Sequence, residues 1–174
     1  MAPETAILIG AGLATTGWLY AARRARTLAK KQHTINVILQ ANFNEKFLHS
    51  RAAIAPHMKL GKCPDDVLDG TNEELKGHFR DILNHYEFVS AGLRNGDFDE
   101  KLIKDSEKST YVNLYACTEK YIWSLRDNRN RMSIYEHLEW VHRRWGTNPP
   151  NLPSRSVEWI RGRPFYGKLD QHRP

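Results

Sequence analysis

An uncharged apolar run near the N-terminus, followed at once by a basic cluster, constrains this chain more than any other feature. No residue between Thr5 and Ala22 is charged, whereas five of the nine residues from Arg23 to Lys31 are basic. The run contains eighteen residues, which form roughly 27 Å of α-helix, just enough for a hydrocarbon core of about 30 Å. The run therefore predicts a transmembrane helix.

The residues at the end of this run predict its orientation in the membrane. Trp18 and Tyr20 lie where amphipathic rings meet lipid headgroups, and Arg23, Arg24 and Arg26 follow them. By the positive-inside bias we expect the N-terminus outside and the body in the cytoplasm. A cleavable signal peptide is less favoured, because it would carry positive residues before the apolar run. A buried helix in a soluble protein is also less favoured, because the polar body does not promise a core around it.

Small residues recur along one face of the predicted membrane helix. Gly10, Ala14, Gly17 and Ala21 follow one another at steps of four, three and four. Such stripes let the backbones of transmembrane helices approach closely. We therefore expect a homo-oligomer that assembles through this face and through the cytoplasmic helices.

The net charge of +6 is explained by the same region. Five cations follow the apolar run, where anionic lipid headgroups account for them, so nucleic acid is a less favoured partner than the lipid bilayer. The two cysteines, Cys63 and Cys117, lie far apart and predict free thiols in a reducing compartment. His78 and His85 share a helix face, but no third ligand follows at a diagnostic spacing, so we expect no metal and no cofactor.

The pattern of apolar residues predicts helices in the rest of the chain. Apolar residues recur at helical spacing and no alternating strand pattern competes with them. The prediction is an all-α fold, in which a single N-terminal transmembrane helix continues into a cytoplasmic helical bundle and an irregular, Pro-rich C-terminal tail follows. Its expected parts are an anchor (1–22), a basic juxtamembrane helix (23–43), a cytoplasmic helical domain (44–145) and a docked tail (146–174).

Local signals place the helix boundaries. Asn44 is a plausible cap, and the segment from Gly61 to Gly70 reads as a loop. Three further starts carry a capping side chain followed three residues later by glutamate, a capping box. These pairs are Thr71 with Glu74, Asp97 with Glu100, and Ser133 with Glu136.

The C-terminal segment carries both helix breakers and apolar side chains. Five prolines follow Gly146, the last of them Pro174, and they interrupt any regular element. Trp159, Ile160, Phe165 and Tyr166 are too apolar for a purely solvated tail. We expect this segment to cover the helical body or a neighbouring subunit.

One acidic residue borders the predicted core. Glu87 follows Leu83 by one helical turn, so its carboxylate needs a partner to offset the cost of desolvation. Arg126, Arg129 or Arg131 is the expected partner of Glu87, and at least one arginine is expected to pair with Glu87 or Glu139. A structural ion pair is favoured here over a functional site.

Two blocks of the sequence carry a family resemblance. They are "LNHYEFVSAGLRNGDFDEKL" and "RNRMSIYEHLEWVHRRW". Over roughly residues 31–145 the chain resembles a bacterial family of uncharacterised helical proteins, many with one N-terminal transmembrane helix. The resemblance implies the bacterial inner membrane as the location. The family's recurring elements match Leu83, Asn84, Glu87, Gly92, Gly96, Asp99, Glu100, Arg129, Asn130, Tyr135, Glu139 and Trp145.

A second resemblance concerns possible chemistry. Arg129, Asn130, Arg131 and His137 are similar to the arginine–polar–histidine motif of HEPN ribonucleases. In such an enzyme the histidine moves the proton of the ribose 2′-hydroxyl and arginine stabilises the charge on the phosphorane, without a metal. The layout also resembles the small membrane accessory protein of type VI-B CRISPR systems, which implies an antiviral effector and a protein partner from a defence system.

The sequence leaves two function classes open. The first is a membrane-anchored, self-associating helical effector or interaction protein, pore-forming or membrane-perturbing if the CRISPR resemblance holds. The alternative is a membrane-tethered HEPN-like ribonuclease. The first is favoured because it needs only the anchor, the small-residue face and the helical body.

Overall fold

The computed structural model describes residues 3–146, with side chains for residues 12–146. Six helices occupy almost all of this part of the chain, and it contains no strand. The all-α prediction is therefore confirmed. The helices are α1 (Pro3–Phe43), α2 (Glu45–Leu60), α3 (Asp65–Leu68), α4 (Glu73–Asn95), α5 (Glu100–Arg129) and α6 (Glu136–Trp145).

The body is a helical bundle with α4 at its centre. α4 packs against α2 on one side and α6 on the other, and α6 folds back along α5. The apolar stripe of α4 faces inward, and the residues of the bundle that are almost wholly buried include Ile54, Val67, Phe79, Ile82, Leu83, Leu114, Ile122, Leu138 and Val141. The helical periodicity of the sequence thus marks the core correctly.

Asparagine and aspartate cap three of these helices. Asn44 caps α2 through its side chain, which accepts the amide of Phe47 at 2.9 Å, as predicted. α4 is capped by Asn72 and α5 by Asp99, so the predictions of Thr71 and Asp97 are wrong by one and two residues. In the first case Thr71 is engaged elsewhere, because its hydroxyl donates to Asp69 at 2.8 Å.

The segment between α2 and α4 contains a short helix and a buried cysteine. The segment from Gly61 to Gly70 is not wholly a loop, because it contains the single helical turn α3. Cys63 and Cys117 are free thiols, as predicted, and both are buried. The amide of Cys63 donates to the carbonyl of Cys117 at 3.0 Å, which ties this loop to α5.

The two halves of α1 differ in their surroundings. α1 has 41 residues and is therefore roughly 60 Å long. Every residue from Gly12 to Ala29 is exposed. Thr34 is fully buried, and its hydroxyl accepts the amide of Asp99 at 2.8 Å while His33 stacks on Phe98. The C-terminal half of α1 therefore docks on the body at the α4–α5 turn.

A search of the described residues finds no helix with an apolar stretch sufficient to cross a membrane. The predicted span from Thr5 to Ala22 lies only partly within those residues, since the side chains of residues 3–11 are outside them. Residues 147–174, which include the predicted docked tail, also lie outside the described part of the chain.

We expect Gly92→Ala to destabilise the body. A Cβ atom at Gly92 would overlap the ring of Phe98, which is itself buried at the α4–α5 turn. Overpacking of this kind costs about 1–3 kcal/mol, which thermal or urea unfolding measures directly. The matched control is Gly77→Ala on the same helix, where a Cβ meets nothing within 4 Å. That change should be neutral or stabilising, and an equal loss in both variants would contradict the packing argument.

Candidate functional site

The start of α6 is the point where most of the predicted polar residues meet. Tyr135, the residue before α6, has a φ of +54°, a left-handed conformation, and its side chain does not cap the helix. Its hydroxyl instead donates to Asn84 Oδ1 on α4 at 3.1 Å. The prediction that Ser133 caps this helix is therefore wrong, because α6 begins at Glu136 after a left-handed residue.

Glu87 of α4 supplies the missing cap. Its two carboxylate oxygens accept the amides of His137 at 3.1 Å and Leu138 at 2.8 Å. An anionic group at a helix N-terminus is stabilised by the free amides and by the helix dipole. The arginine partner predicted for Glu87 is thus replaced by the backbone of α6, which satisfies the same buried carboxylate.

The environment of Glu87 shifts the pKa of its carboxyl group toward neutral pH. Burial raises the pKa of Glu87 to about 7, while the bonds from Leu138 and His137 act in the opposite direction. Glu136 also raises the pKa of Glu87 and Arg126 lowers it. The cap of α6 therefore carries a titratable group that responds near neutral pH.

A buried ion pair lies immediately behind this cap. Arg126 is fully buried, and its Nη1 donates to Glu139 Oε2 at 2.8 Å while its Nε donates to the carbonyl of Ile134 at 2.9 Å. Glu139 also contacts Arg143 Nη2 at 2.7 Å. The guanidinium carbon of Arg126 lies 5.0 Å from the centroid of Trp123. The structure therefore places Arg126 and Glu139 in one buried pair, extended by an arginine that sequence reasoning missed.

The spacing of Arg143 from Glu139 in the sequence indicates their ion pair. Arg143 follows Glu139 by four residues, and oppositely charged side chains at this spacing are neighbours on a helix. Arg129 had been expected in this ion pair, but its side chain is exposed and it forms no ion pair within the described residues. Arg126 is fully buried, whereas Arg129 is the last residue of α5 and lies exposed at its end.

The four residues predicted for catalysis divide between two places. Arg129, Asn130 and Arg131 are exposed at the end of α5. Asn130 terminates α5 with a φ of +48°, and the amide of Arg131 returns to the carbonyl of Arg126 at 3.0 Å. This stretch therefore serves to end the helix. Asparagine suits the position because it is one of the few residues that adopt the left-handed conformation readily.

His137, the fourth residue, is half-buried against α4. Its Nδ1 lies 3.3 Å from Arg94 Nη1, and its Nε2 lies 3.6 Å from Glu136 Oε1. Arg94 Nη1 is also 3.7 Å from Glu136 Oε2. The imidazole thus lies between a cation and a carboxylate that both help to join α4 to α6. Sequence reasoning missed the contact between Arg94 and Glu136 because these residues lie 42 positions apart.

Glu100 of α5 accepts hydrogen bonds from the C-terminal end of α6. Glu100, in the first turn of α5, accepts two bonds from Arg144, at 2.7 Å from Nε and 3.1 Å from Nη2. It also accepts the indole N–H of Trp145 at 3.0 Å. Bidentate arginine–carboxylate contacts are strong and directional. α6 is therefore fixed at both ends by glutamates from other helices.

Most residues that carry the family resemblance have structural roles in this arrangement. Asn84, Glu87 and Glu139 hold the start of α6, while Glu100 and Trp145 hold its end. Gly92 makes room for Phe98, Gly96 ends α4 with a φ of +85°, Asp99 caps α5, and Asn130 and Tyr135 adopt left-handed conformations. These residues therefore position α6 or shape the ends of α4 and α5.

The residues predicted for membrane contact lie on α1, away from this cluster. Trp18, Tyr20, Arg23, Arg24 and Arg26 are all exposed, and Arg24 Nη1 lies 3.5 Å from the hydroxyl of Tyr20. Ala14, Gly17 and Ala21 of the predicted oligomerisation face are exposed as well, while Gly10 falls among the residues whose surroundings are not described. Within the described residues, no group of three histidine, cysteine or acidic side chains is placed to hold a metal ion.

Comparison with known proteins identifies a family and nothing closer. A family model described as a domain of unknown function (DUF4760) matches residues 5–145. Neither the curated proteins nor the solved structures give a match. The match extends through α1 and the whole body, so it includes both the exposed N-terminal half of α1 and the cluster around α6.

The buried ion pair generates a stability prediction with a built-in control. Arg126→Ala removes the fully buried partner of Glu139 and leaves only the partly exposed Arg143 beside this carboxylate, which should lower the free energy of unfolding by about 3–5 kcal/mol. Arg129→Ala, one turn away and exposed, should change it by less than about 0.5 kcal/mol. Urea unfolding of both variants measures the contrast, and a larger loss in Arg129→Ala would refute the assignment.

The cap of α6 generates a pH prediction. The pKa of native Glu87 is raised from 4.5 to about 7, so the folded chain holds this proton more tightly than the unfolded chain does. The contribution of Glu87 to stability should therefore be fully present below pH 4.5 and be lost as the pH rises to about 7, a change of no more than about 3 kcal/mol.

The measurement is the difference in unfolding free energy between the wild type and Glu87→Gln across that pH range. Glutamine keeps one carbonyl acceptor for the amides of α6 but does not titrate. Glu74→Gln, a change at an exposed site on the same helix, is the control for general charge effects. A difference between wild type and Glu87→Gln that is independent of pH would show that Glu87 titrates normally.

Proposed function

The chain belongs to the family of domains of unknown function that matches residues 5–145, and we propose that it is a membrane-anchored, self-associating helical effector or interaction protein. One observation carries the proposal. The N-terminal half of α1 is exposed from Gly12 to Ala29 although it includes large apolar side chains. Leu13, Trp18, Leu19 and Tyr20 each expose between 53% and 70% of their surface.

Such a surface favours an apolar environment over water. Each square ångström of apolar surface removed from water contributes roughly 25 cal/mol, and α1 presents these side chains around much of its circumference. In the sequence they belong to the uncharged run from Thr5 to Ala22, which is followed by Arg23, Arg24 and Arg26. We therefore assign the lipid bilayer as the partner of this half of α1, with the basic residues and the body on the cytoplasmic side of the bacterial inner membrane.

Self-association is part of the same proposal. A Cβ atom built at Gly17 meets nothing within 4 Å in the single chain, so the surface around this glycine is open to a second helix. Close backbone approach at small residues is the usual basis of helix association in membranes. Pore formation or membrane perturbation in antiviral defence, with a partner from the same defence system, is the biological role that the resemblance implies.

The geometry does not favour the alternative of a HEPN-like ribonuclease. Arg129, Asn130 and Arg131 form the exposed terminator of α5, whereas His137 contacts Arg94 and Glu136 at the α4–α6 junction. General acid–base catalysis needs the arginine and the histidine to face one reacting group. We therefore base the proposal on α1 and not on this motif.

Lysine substitutions in the exposed apolar part of α1 test the anchor. In the full-length protein expressed in a bacterium, Leu13→Lys combined with Leu19→Lys should abolish retention in carbonate-washed membranes. Leu13 lies near the centre of the run, where a lysine costs about 3 kcal/mol, while Leu19 lies nearer its end, where the cost is smaller; the helix is only just long enough to span. The readout is the fraction of protein that floats with lipid in a density gradient.

The matched control is Leu60→Lys, because Leu60 is 78% exposed but lies at the end of α2 in the body. This variant should remain in the membrane fraction. Protease added to intact spheroplasts should leave residues from Asn44 onward uncut if the body is cytoplasmic. Release of the wild type by carbonate would overturn the anchor, and cleavage of the body in intact spheroplasts would overturn the orientation.

A further inference from the structure

Tyr121 of α5 combines a buried ring with a hydroxyl that forms no hydrogen bond within the described residues. Only 4% of the residue is exposed. The hydroxyl oxygen is not one of the fully buried polar atoms that lack a partner, so it reaches the surface of the bundle. A tyrosine as buried as this one usually bonds its hydroxyl to another protein group. The hydroxyl of Tyr121 is therefore free for a ligand that arrives from solvent.

Basic side chains from two helices surround this hydroxyl. Burial raises the pKa of the phenol, whereas the charges of Lys76, Arg80 and Arg129 act in the opposite direction. Charges shift a pKa in this way when they are close to the titrating group. Lys76 and Arg80 lie one turn apart on α4, and Arg129 is the last residue of α5. The N-terminal part of α4 and the C-terminal end of α5 therefore bring three cations to one place.

Tyr135 brings a second hydroxyl to the same place. Burial and the neighbouring Tyr121 raise the pKa of Tyr135 to about 12. The charges of Arg80 and Arg129 oppose this rise, so both cations are near both phenols. The hydroxyl of Tyr135 donates to Asn84 Oδ1 at 3.1 Å, and Asn84 lies exposed one turn beyond Arg80 on the same face of α4. This bond fixes the second hydroxyl beside the arginine.

Two of the three cations are available to a ligand. Lys76 Nζ lies 2.6 Å from Glu73 Oε1, so the charge of this lysine is already paired. Arg80 and Arg129 are exposed, and neither forms an ion pair in the part of the chain that the structure describes. Two cations in one place repel each other unless an anion lies between them. The arrangement therefore favours the binding of an anion.

A phosphate group matches the donors that this arrangement offers. Arginine presents a planar fork of N–H donors that binds phosphate oxygens in pairs. A terminal phosphate carries enough strong acceptor oxygens to bind Arg80, Arg129 and the hydroxyl of Tyr121 at once. A carboxylate has fewer oxygens and would leave more of these donors unused. Phosphate is therefore the better fit.

The position of these residues favours a soluble phosphate compound over a lipid headgroup. α1 contacts the body at the α4–α5 turn, where Thr34 accepts the amide of Asp99. Arg80 lies fifteen residues before Asn95, the last residue of α4, and is therefore roughly 22 Å from that turn. After Thr34, α1 runs along α4 toward Asp81, so the exposed N-terminal half of α1 points the other way. A membrane around that half would lie at the opposite end of the bundle.

We propose that Arg80, Arg129 and the hydroxyl of Tyr121 bind the phosphate group of a soluble phosphate monoester or polyphosphate. Asn84 and Tyr135 border this phosphate site and hold its edge in place. Binding requires no cleavage of the phosphate. The proposal does not rest on the membrane anchor, so either one can fail without the other.

Calorimetric titration of the full-length protein in detergent micelles with inorganic pyrophosphate tests the site. Arg80→Gln combined with Arg129→Gln should weaken binding by roughly tenfold or more, because charge-assisted hydrogen bonds are the strong ones. Tyr121→Phe, which keeps the ring, should weaken binding by roughly threefold, since it removes one neutral donor. The matched control is Lys101→Gln combined with Lys108→Gln, which removes two exposed charges elsewhere on α5 and should leave the affinity unchanged.

A second arm identifies the source of the phosphate. Micelles that contain phosphatidic acid, a lipid phosphate monoester, should leave the affinity of the wild type for pyrophosphate unchanged. Competition by this lipid that disappears in the double arginine variant would assign the site to a headgroup and overturn the soluble ligand. All four arginine and lysine positions are exposed, so both double variants should unfold at the wild-type temperature. Failure of the folded wild type to bind pyrophosphate, or equal weakening in the lysine control, would overturn the phosphate site.

Discussion

The bidentate role of Glu87 and the buried pair behind it determine how this bundle closes. α6 is only ten residues long and follows a turn that ends in a left-handed tyrosine, so it lacks a local cap of its own. It depends on α4 for its first free amides and on Arg126 of α5 for the charge of Glu139. Arg126 Nη2 has no hydrogen-bond partner within the described residues. A buried pair of this kind is weak evidence for added stability, and its clearest effect is to fix where α6 lies.

Much of the fold follows from periodicity, but the helix starts do not. Apolar spacing marks the inward faces of α4, α5 and α6, because burial dominates the energy of a helical bundle. The capping predictions failed where two capping residues lie close together, as with Thr71 and Asn72 or Asp97 and Asp99. The N-cap preferences of the two residues in each pair are nearly equal, so the local sequence does not choose between them. Tertiary contacts decide between them, as the bond between the amide of Asp99 and Thr34 illustrates.

The cluster around α6 was only partly predictable for a different reason. Glu87 was recognised as a carboxylate at the edge of the core, but its acceptor role depends on where the backbone of α6 arrives, fifty residues later in the chain. Arg126, Arg129 and Arg131 were equal candidates in the sequence, and only the burial of Arg126 in the folded chain separates it from the other two. The residues that carry the family resemblance accept buried amides, form turns or pair buried charges in this structure.

Thr34 has a mechanical consequence. Its hydroxyl donates to the carbonyl of Lys30 within α1 at 2.8 Å and accepts the amide of Asp99 at the start of α5. A shift of one residue along α1 would turn the helix by about 100° about its axis and withdraw this hydroxyl from the turn. The azimuth of α1 is thus locked to the bundle, so the body sets the direction in which each face of the N-terminal half of α1 points. Since α1 is helical without a break from Pro3 to Phe43, rotation of its N-terminal half about the helix axis would be opposed by the bond between Thr34 and Asp99 at the α4–α5 turn.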